Sequence, residues 1–398
     1  MFPELLAILV GSLVGIITGL TPGVHINLIA TLVVSFSATL LSIVSPTQAV
    51  MFIMSMSITH NFLDYIPSTY LAAPTSDTCE GALPAHQLLF EGKGHTAILA
   101  SVLGALVGVI ICSILFIPLV LFVKTSYALI ENLIPWILIG VVILLISREE
   151  NYLFALAVSI LAGAFGIVVL NSKFISDPLL PLLSGMFGIS GLILGLNEKI
   201  KIPKQKFEKE VKIKKENLGK GCIAGIVSSC LTCFLPGLSS SHTTMLGSFL
   251  SKLKEKNEML FLNGFANTAS MVLSVVALYG IGKGRNGSVV AVSELIKIEP
   301  NIILLLVSAM LVSCFFSTVL ACSLSKMFCK LIEKVPYKLL TISVIGIVSS
   351  ITFWLTGVIG LVILIISMCI GFLPLLGKIN RNHLMCCLIV PVILYFIL

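Results

Sequence analysis

Residues 19–28, GLTPGVHINL, lie between two apolar runs and place a proline, a glycine, a histidine and an asparagine where an uninterrupted membrane helix would carry none of them. Pro22 removes a backbone donor and disfavours helix at Thr21, while Gly23 lets the backbone turn tightly. A helix broken in hydrocarbon bares N–H and C=O groups, and each unsatisfied group is expensive there. The break is tolerated only where protein or water satisfies those groups, so the stretch predicts a helix–break–helix hairpin with a buried polar tip. The segment after the break starts with free N–H groups and the positive end of a helix dipole. That is an anion site in waiting.

The rest of the chain supplies the solvent for this argument. Of 398 residues, 57% are hydrophobic and 11% are charged, against about 25% charged in soluble domains. Apolar runs close to a spanning length recur at Thr96–Val123, Trp136–Ser147, Tyr152–Leu170, Asn301–Ser323 and Leu339–Leu355. The period-2 alternation of a β-barrel is absent. The expected fold is an all-α polytopic membrane protein with about seven apolar segments per half, in the cytoplasmic membrane. The run around Met51–His60 is too short to read as spanning. The first apolar run has Glu4 but no Lys or Arg ahead of it, and reads as a membrane helix and not as a cleaved signal peptide.

Between Glu198 and Lys220 lie nine Lys and four Glu, which supply most of the formal charge of +7. Lys-rich loops stay cytoplasmic, so this run reads as a topology signal, with no nucleic-acid partner. It also divides the chain into a first membrane repeat (1–197), a linker (198–220) and a second repeat (221–398). Shifting the first half by 214 residues lays Thr18, Pro22 and Gly23 on Thr232, Pro236 and Gly237, and Gly11 on Gly225. A polar cluster follows each Pro-Gly: His25 and Asn27 in one half, Ser239, Ser240, Ser241, His242, Thr243 and Thr244 in the other. Asn61 is echoed by Asn267, with Thr268 beside it. An odd number of crossings per half would make the repeats inverted, with two Pro-Gly breaks facing a substrate site near the bilayer midplane.

These residues carry a family resemblance. GLTPGVHINLIATL and FLPGLSSSHTTMLGSFLSK resemble the two Pro-Gly motifs of the large membrane subunit of tripartite tricarboxylate transporters. THNFLDYIPSTYLAAPTSDTCEGALP is similar to that family's Ile-Pro-Gly followed by Asp-Gly-x-Pro, with Ile66-Pro67 at the start, Glu80-Gly81 for the Asp-Gly and Pro84 as a displaced proline. NGFANTASMVL resembles the Asn-bearing segment of the second half. The sequence departs from the pattern at Ser68, at GIGKGRNG where another Pro-Gly is usual, and at His25 and His242. The resemblance implies uptake of a di- or tricarboxylate with a small membrane subunit and an extracytoplasmic binding protein. Bacterial undecaprenyl-phosphate carriers also look similar in their duplicated Pro-Gly hairpins, which implies a lipid-phosphate translocase as the alternative.

On either reading Pro22, Gly23, His25, Asn27, Asn61, Pro236, Gly237, Ser239, Ser240, Ser241, His242, Asn267 and Thr268 are candidates for the substrate site. Lys283 and Arg285, set among glycines, either wrap an anionic head group or form a solvated turn. Asp64 and Glu80 are candidates for a coupling site that takes Na⁺ or a proton, or else cap short helices in loops. His25 and His242 either touch substrate or are satisfied by neighbouring carbonyls. No resident cofactor or metal is expected. Cys230-x-x-Cys233 has no second pair or histidine partner, the histidines lack metal spacing, and no Gly-x-Ser-x-Gly elbow suggests an enzyme.

Overall fold

The computed structural model describes the chain apart from residues 1, 22–25, 72–73, 76, 173, 176–177, 197–202, 209, 236–237, 333 and 335–336. The first half contains α1 (Phe2–Leu20), α2 (Ile26–Ser35), α3 (Ser37–Leu40), α4 (Pro46–Leu63), α5 (Tyr65–Tyr70), α6 (Cys79–Phe90), α7 (Gly94–Ile114), α8 (Phe116–Ile130), α9 (Ile134–Ile146), α10 (Tyr152–Leu170), α11 (Leu179–Leu183) and α12 (Ser190–Leu196). The second contains α13 (Lys215–Phe234), α14 (Ser240–Ser251), α15 (Lys256–Ile281), α16 (Gly287–Leu295), α17 (Pro300–Ile332), α18 (Tyr337–Gly377) and α19 (Cys386–Ile397). The described residues contain no strand.

Nine helices among the described residues are long and apolar enough to cross a membrane; the expected seven segments per half counted re-entrant pieces as well as crossings. Several expected segments are short helices, and others are joined. The run at Trp136 continues α8 through one turn of 3₁₀ helix into α9, and the run at Leu339 extends to Gly377 across a kink at Gly357. The short run at Met51–His60 belongs to the 18-residue α4, started by Ser45, whose hydroxyl accepts from the Gln48 N–H while the Gln48 side chain accepts from the Ser45 N–H. Leu129, Trp136, Ile160, Leu304 and Trp354 project from the outer helices as exposed apolar side chains, a surface suited to hydrocarbon.

Two bundles of parallel helices run in opposite directions. Gly15 and Gly19 of α1 lie against the backbone carbonyls of Met56 and His60 on α4, one turn apart on both helices, so α1 and α4 run the same way at close approach. A Cβ on Gly15 would stand 2.6 Å from the Met56 oxygen. The α17 helix joins them in the same sense, with Ser317 bonded to Thr59 (2.9 Å) and Ser325 to Tyr70 (2.8 Å). The other set is α7, α13 and α15. Gly104 and Gly108 of α7, and Gly221 and Gly225 of α13, abut Phe261 and Phe265 of α15 in matching order.

The second set starts at the face that carries the linker. There the Lys206 N–H donates to the Gly92 carbonyl (2.7 Å), Lys93 pairs with Glu208 (3.3 Å) and the Asn257 amide donates to the Lys212 carbonyl (3.3 Å). The α14 helix runs back along α13, with Ser228 bonded to the Thr243 carbonyl (2.7 Å) and Gly247 against Ala224. The pair therefore forms a hairpin with both feet at the linker face and its tip inside. Pro236 and Gly237 lie outside the described residues, between the Phe234 end of α13 and the Ser240 start of α14. Helix α13 begins at Lys215, so the last residues of the Lys-rich run are helical.

Candidate functional site

The residues that build the site come from α4, α5, α6, α14 and α15. Asn267 lies 11 residues into α15, about 17 Å along it at 1.5 Å per residue, and that helix is buried over most of its length. Its amide Nδ2 approaches Asp64 Oδ2 at 3.5 Å, and its Oδ1 accepts from Ser240 Oγ at 3.4 Å. The Asn61 amide donates to the Asn267 backbone carbonyl (3.4 Å), and Tyr65 donates to Asn263 Oδ1 (2.9 Å). Asn263 in turn donates to the Asp77 carbonyl (3.2 Å) and to Thr244 Oγ1 (3.4 Å). Asn61, Asp64, Ser240, Asn263 and Asn267 are each at most 5% exposed. Two amides one helical turn apart on α15 thus stitch the end of α4 to the start of α14.

The helix start expected to hold substrate already holds a carboxylate of the chain itself. Asp77 Oδ1 accepts from the Ser240 N–H at 3.1 Å and from Ser240 Oγ at 2.9 Å. The charge meets the positive end of α14 and ties the loop before α6 to the hairpin tip. Asp77→Ala is expected to lower the stability of the purified protein by about 1–2 kcal/mol, measured as a drop in its thermal midpoint in detergent. An unchanged midpoint would show that the cap contributes nothing.

The expected site residues separate into groups. Ser240, Asn267, Asn61 and Asp64 come together as described. Thr268 is fully buried beside them, and its hydroxyl has no hydrogen-bond partner among the described residues. The Ser241 hydroxyl accepts from the Glu80 N–H (3.3 Å). His242 bridges Ser239 Oγ (2.9 Å) and the Asn382 carbonyl (3.4 Å), the satisfied arrangement. Glu80 Oε2 accepts from the Asn382 amide at 3.1 Å. Asp64 is 3% exposed between α4 and α5 and makes no side-chain cap, so the solvated-loop reading of this residue does not hold. One of its oxygens, Oδ1, is buried with no partner among the described residues.

Asn27 packs elsewhere, against Gly287 at the start of α16, where a Cβ would come within 2.6 Å of Asn27 Cγ. Pro22, Gly23, His25, Pro236 and Gly237 lie outside the described residues. Lys283 follows Gly282, the left-handed end of α15, and is held by Glu131 Oε1 at 2.6 Å, which raises its pKa. Arg285 lies 5.0 Å from the Tyr127 ring, with Nε and one terminal nitrogen unpartnered among the described residues. Its backbone N–H donates to Ser274 Oγ (2.8 Å), about 10 Å along α15 from Asn267 at helical rise.

Sequence reasoning passed over Asp77, Tyr65, Asn263 and Asn382. Asn263 carried a usable signal, since four residues before Asn267 places it on the same helix face. The other three did not stand out from their polar surroundings. Among the described residues no group of His, Cys, Asp and Glu could hold a metal ion, and Cys230 and Cys233 are free thiols on α13.

A protein of Methanocaldococcus jannaschii described as uncharacterized is 30% identical over 407 residues, covering 99% of both chains. No solved structure matches. Residues 5–386 match the tripartite tricarboxylate transporter TctA family, and the chain, a multi-pass membrane protein, belongs to that family.

Proposed function

We propose that the protein is a secondary active transporter of a small organic anion of the di- or tricarboxylate class, working by alternating access between two inverted repeats. The buried chain Asp64–Asn267–Ser240–Asp77 carries this reading, because it joins α4 and the loop before α6 in one half to α14 and α15 in the other. Support for the repeats comes from direction. In register, α1, α4 and α7 correspond to α13, α15 and α17, and each pair runs oppositely through the bundle. Alternating access would rock one set against the other about the amide cluster.

In this scheme Asp64 is the coupling residue. A carboxylate with one buried oxygen unpartnered among the described residues is a receptor for a proton or Na⁺. Glu80, bonded to Asn382, is the secondary candidate. The substrate anion is met by the hydroxyls around the α14 tip and, toward the other face, by Arg285. The linker face is cytoplasmic under the positive-inside rule, and the protein works in the cell membrane with a small membrane subunit and an extracytoplasmic binding protein. A polyprenyl-phosphate carrier would need Lys283 and Arg285 as its head-group rim. Pairing of Lys283 with Glu131 favours the small-anion reading.

Uptake of labelled citrate and succinate into proteoliposomes, under an imposed Na⁺ or pH gradient, tests the assignment. Asn27→Leu and Ser241→Leu are expected to abolish flux while the protein inserts normally. Normal flux in both variants would remove the two tips from the site. Arg285→Gln is expected to raise the half-saturating substrate concentration by about tenfold or more, and Lys283→Gln to leave it within about twofold.

A further inference from the structure

A cavity of about 720 Å³ lies beside the amide cluster, on the linker side of it. Its walls come from α6, from α12, from the turn between α14 and α15, and from the turn after α18. The volume falls within the roughly 300–1,000 Å³ of small-molecule sites. Four cations line it, Lys254, Lys256, Lys378 and Arg381, against one carboxylate, Glu80. Lys256 is paired with Glu91, but Lys254, Lys378 and Arg381 form no ion pair among the described residues. Glu80 is engaged by the Asn382 amide. The cavity therefore presents an uncompensated positive charge, which concentrates anions.

Arg381 is built into the wall. One terminal nitrogen donates to the Met186 carbonyl (2.9 Å), the Phe187 carbonyl (2.5 Å) and Ser190 Oγ (3.0 Å), and the guanidinium lies 5.7 Å from the Phe187 ring. These acceptors belong to a π-helical turn, Ser184–Ile189, and its continuation into α12. They fix the fork through a single nitrogen. Nε is buried with no hydrogen-bond partner among the described residues. A held guanidinium with spare donors is suited to a carboxylate. At its inner end the cavity shares Glu80 and Asn382 with the α14 tip, where Glu80 meets Ser241 and Asn382 meets His242.

We propose that this cavity is a second anion site, a station on the linker face that holds a small multivalent carboxylate through Arg381, with Lys254 and Lys378 at its rim. The inference rests on the transport reading, which it extends from the central cluster toward the linker-side water. Multivalency follows from the charge, because three unpaired cations compensate a di- or trianion better than a monoanion. The site meets the α14 tip at Glu80 and Asn382, and its cations stand apart from the amide cluster.

Citrate, succinate, acetate and inorganic phosphate, at constant ionic strength, are titrated against the purified full-length protein in detergent, with thermal stabilisation as the readout. Citrate is expected to bind most tightly and acetate least. Arg381→Gln is expected to weaken citrate binding by about tenfold or more. Because that change leaves three acceptors in the wall without their donor, the double variant Lys254→Gln/Lys378→Gln, at two exposed positions, gives an independent result, an expected weakening of about fivefold. Asp64→Asn is expected to bind citrate like the unaltered protein while losing flux. Citrate binding unchanged in the double lysine variant, or none in the unaltered protein, overturns the station. Equal or tighter binding of phosphate overturns the carboxylate assignment. Flux that survives in Asp64→Asn counts against the coupling role of Asp64 alone, whereas no flux of any of these anions through the unaltered protein counts against the transport reading.

Discussion

Asp64→Asn will reduce gradient-driven uptake by about a hundredfold or more and leave the fold intact. Asn has the shape of Asp, and its side chain can still meet the Asn267 amide across the 3.5 Å contact by presenting its oxygen. What it lacks is the negative charge and the ability to take up a proton. Asp64 is 3% exposed, and one of its oxygens is buried without a partner among the described residues. Such a carboxylate is costly unless a cation or proton joins it. Binding of the coupling ion would therefore relieve a penalty that the empty site carries, and removal of the charge removes that differential. The thermal midpoint should stay level or rise, since a buried charge short of partners has been replaced by a neutral amide. Uptake above about a tenth of the unaltered rate in well-folded Asp64→Asn would rule out the coupling role.

Gly264→Leu and Gly104→Leu are expected to abolish the folded protein. A methyl built on Gly264 would overlap the Ser101 carbonyl oxygen of α7, and one on Gly104 would overlap the Phe261 carbonyl oxygen of α15. Both clashes are with backbone, so no rotamer change relieves them. The helices would have to separate, and α15 carries Asn263 and Asn267. The cost is at least about 3 kcal/mol for either change, read as loss of the monodisperse peak on size exclusion and of the thermal transition. Gly140→Ala on α9, where nothing lies within 4 Å of the added carbon, serves as the control. It should be neutral to within about 0.5 kcal/mol. Monodisperse Gly264→Leu with a normal midpoint would mean that α7 and α15 are not packed at this distance.

Both results depend on features that were visible to different degrees in the sequence. Asn61, Asp64 and Asn267 stood out because polar groups in apolar runs are costly, and a costly residue asks for a partner. The repeat put Asn61 and Asn267 in one expected site, but their direct contact across 206 residues, and the approach of Asp64 to Asn267, could not be read. The Pro-Gly and serine run raised the expectation of a hairpin, and α13 and α14 pack together on either side of residues 236–237. The carboxylate that meets the start of α14 could not be read. Asp77 is one acid in a polar stretch, and only the meeting of that loop with Ser240 gives it a role. Lys283 and Arg285 look alike in GIGKGRNG, yet Glu131 from another helix takes one and leaves the other.

By itself the sequence determined the membrane solvent and the helical class, and it offered the breaks and the halves as expectations. Each is a local constraint: apolar length measures the bilayer, proline and glycine interrupt hydrogen bonding within a few residues, and a lysine run marks one face. Tertiary structure alone decided which charges are already spent and which remain open. Asp77 meets the positive end of α14, Glu131 holds Lys283, and Arg381 stands on carbonyls nearly 200 residues earlier in the chain. Pairing in a low-dielectric interior is settled by a few ångströms between distant segments, and linear order does not contain that distance.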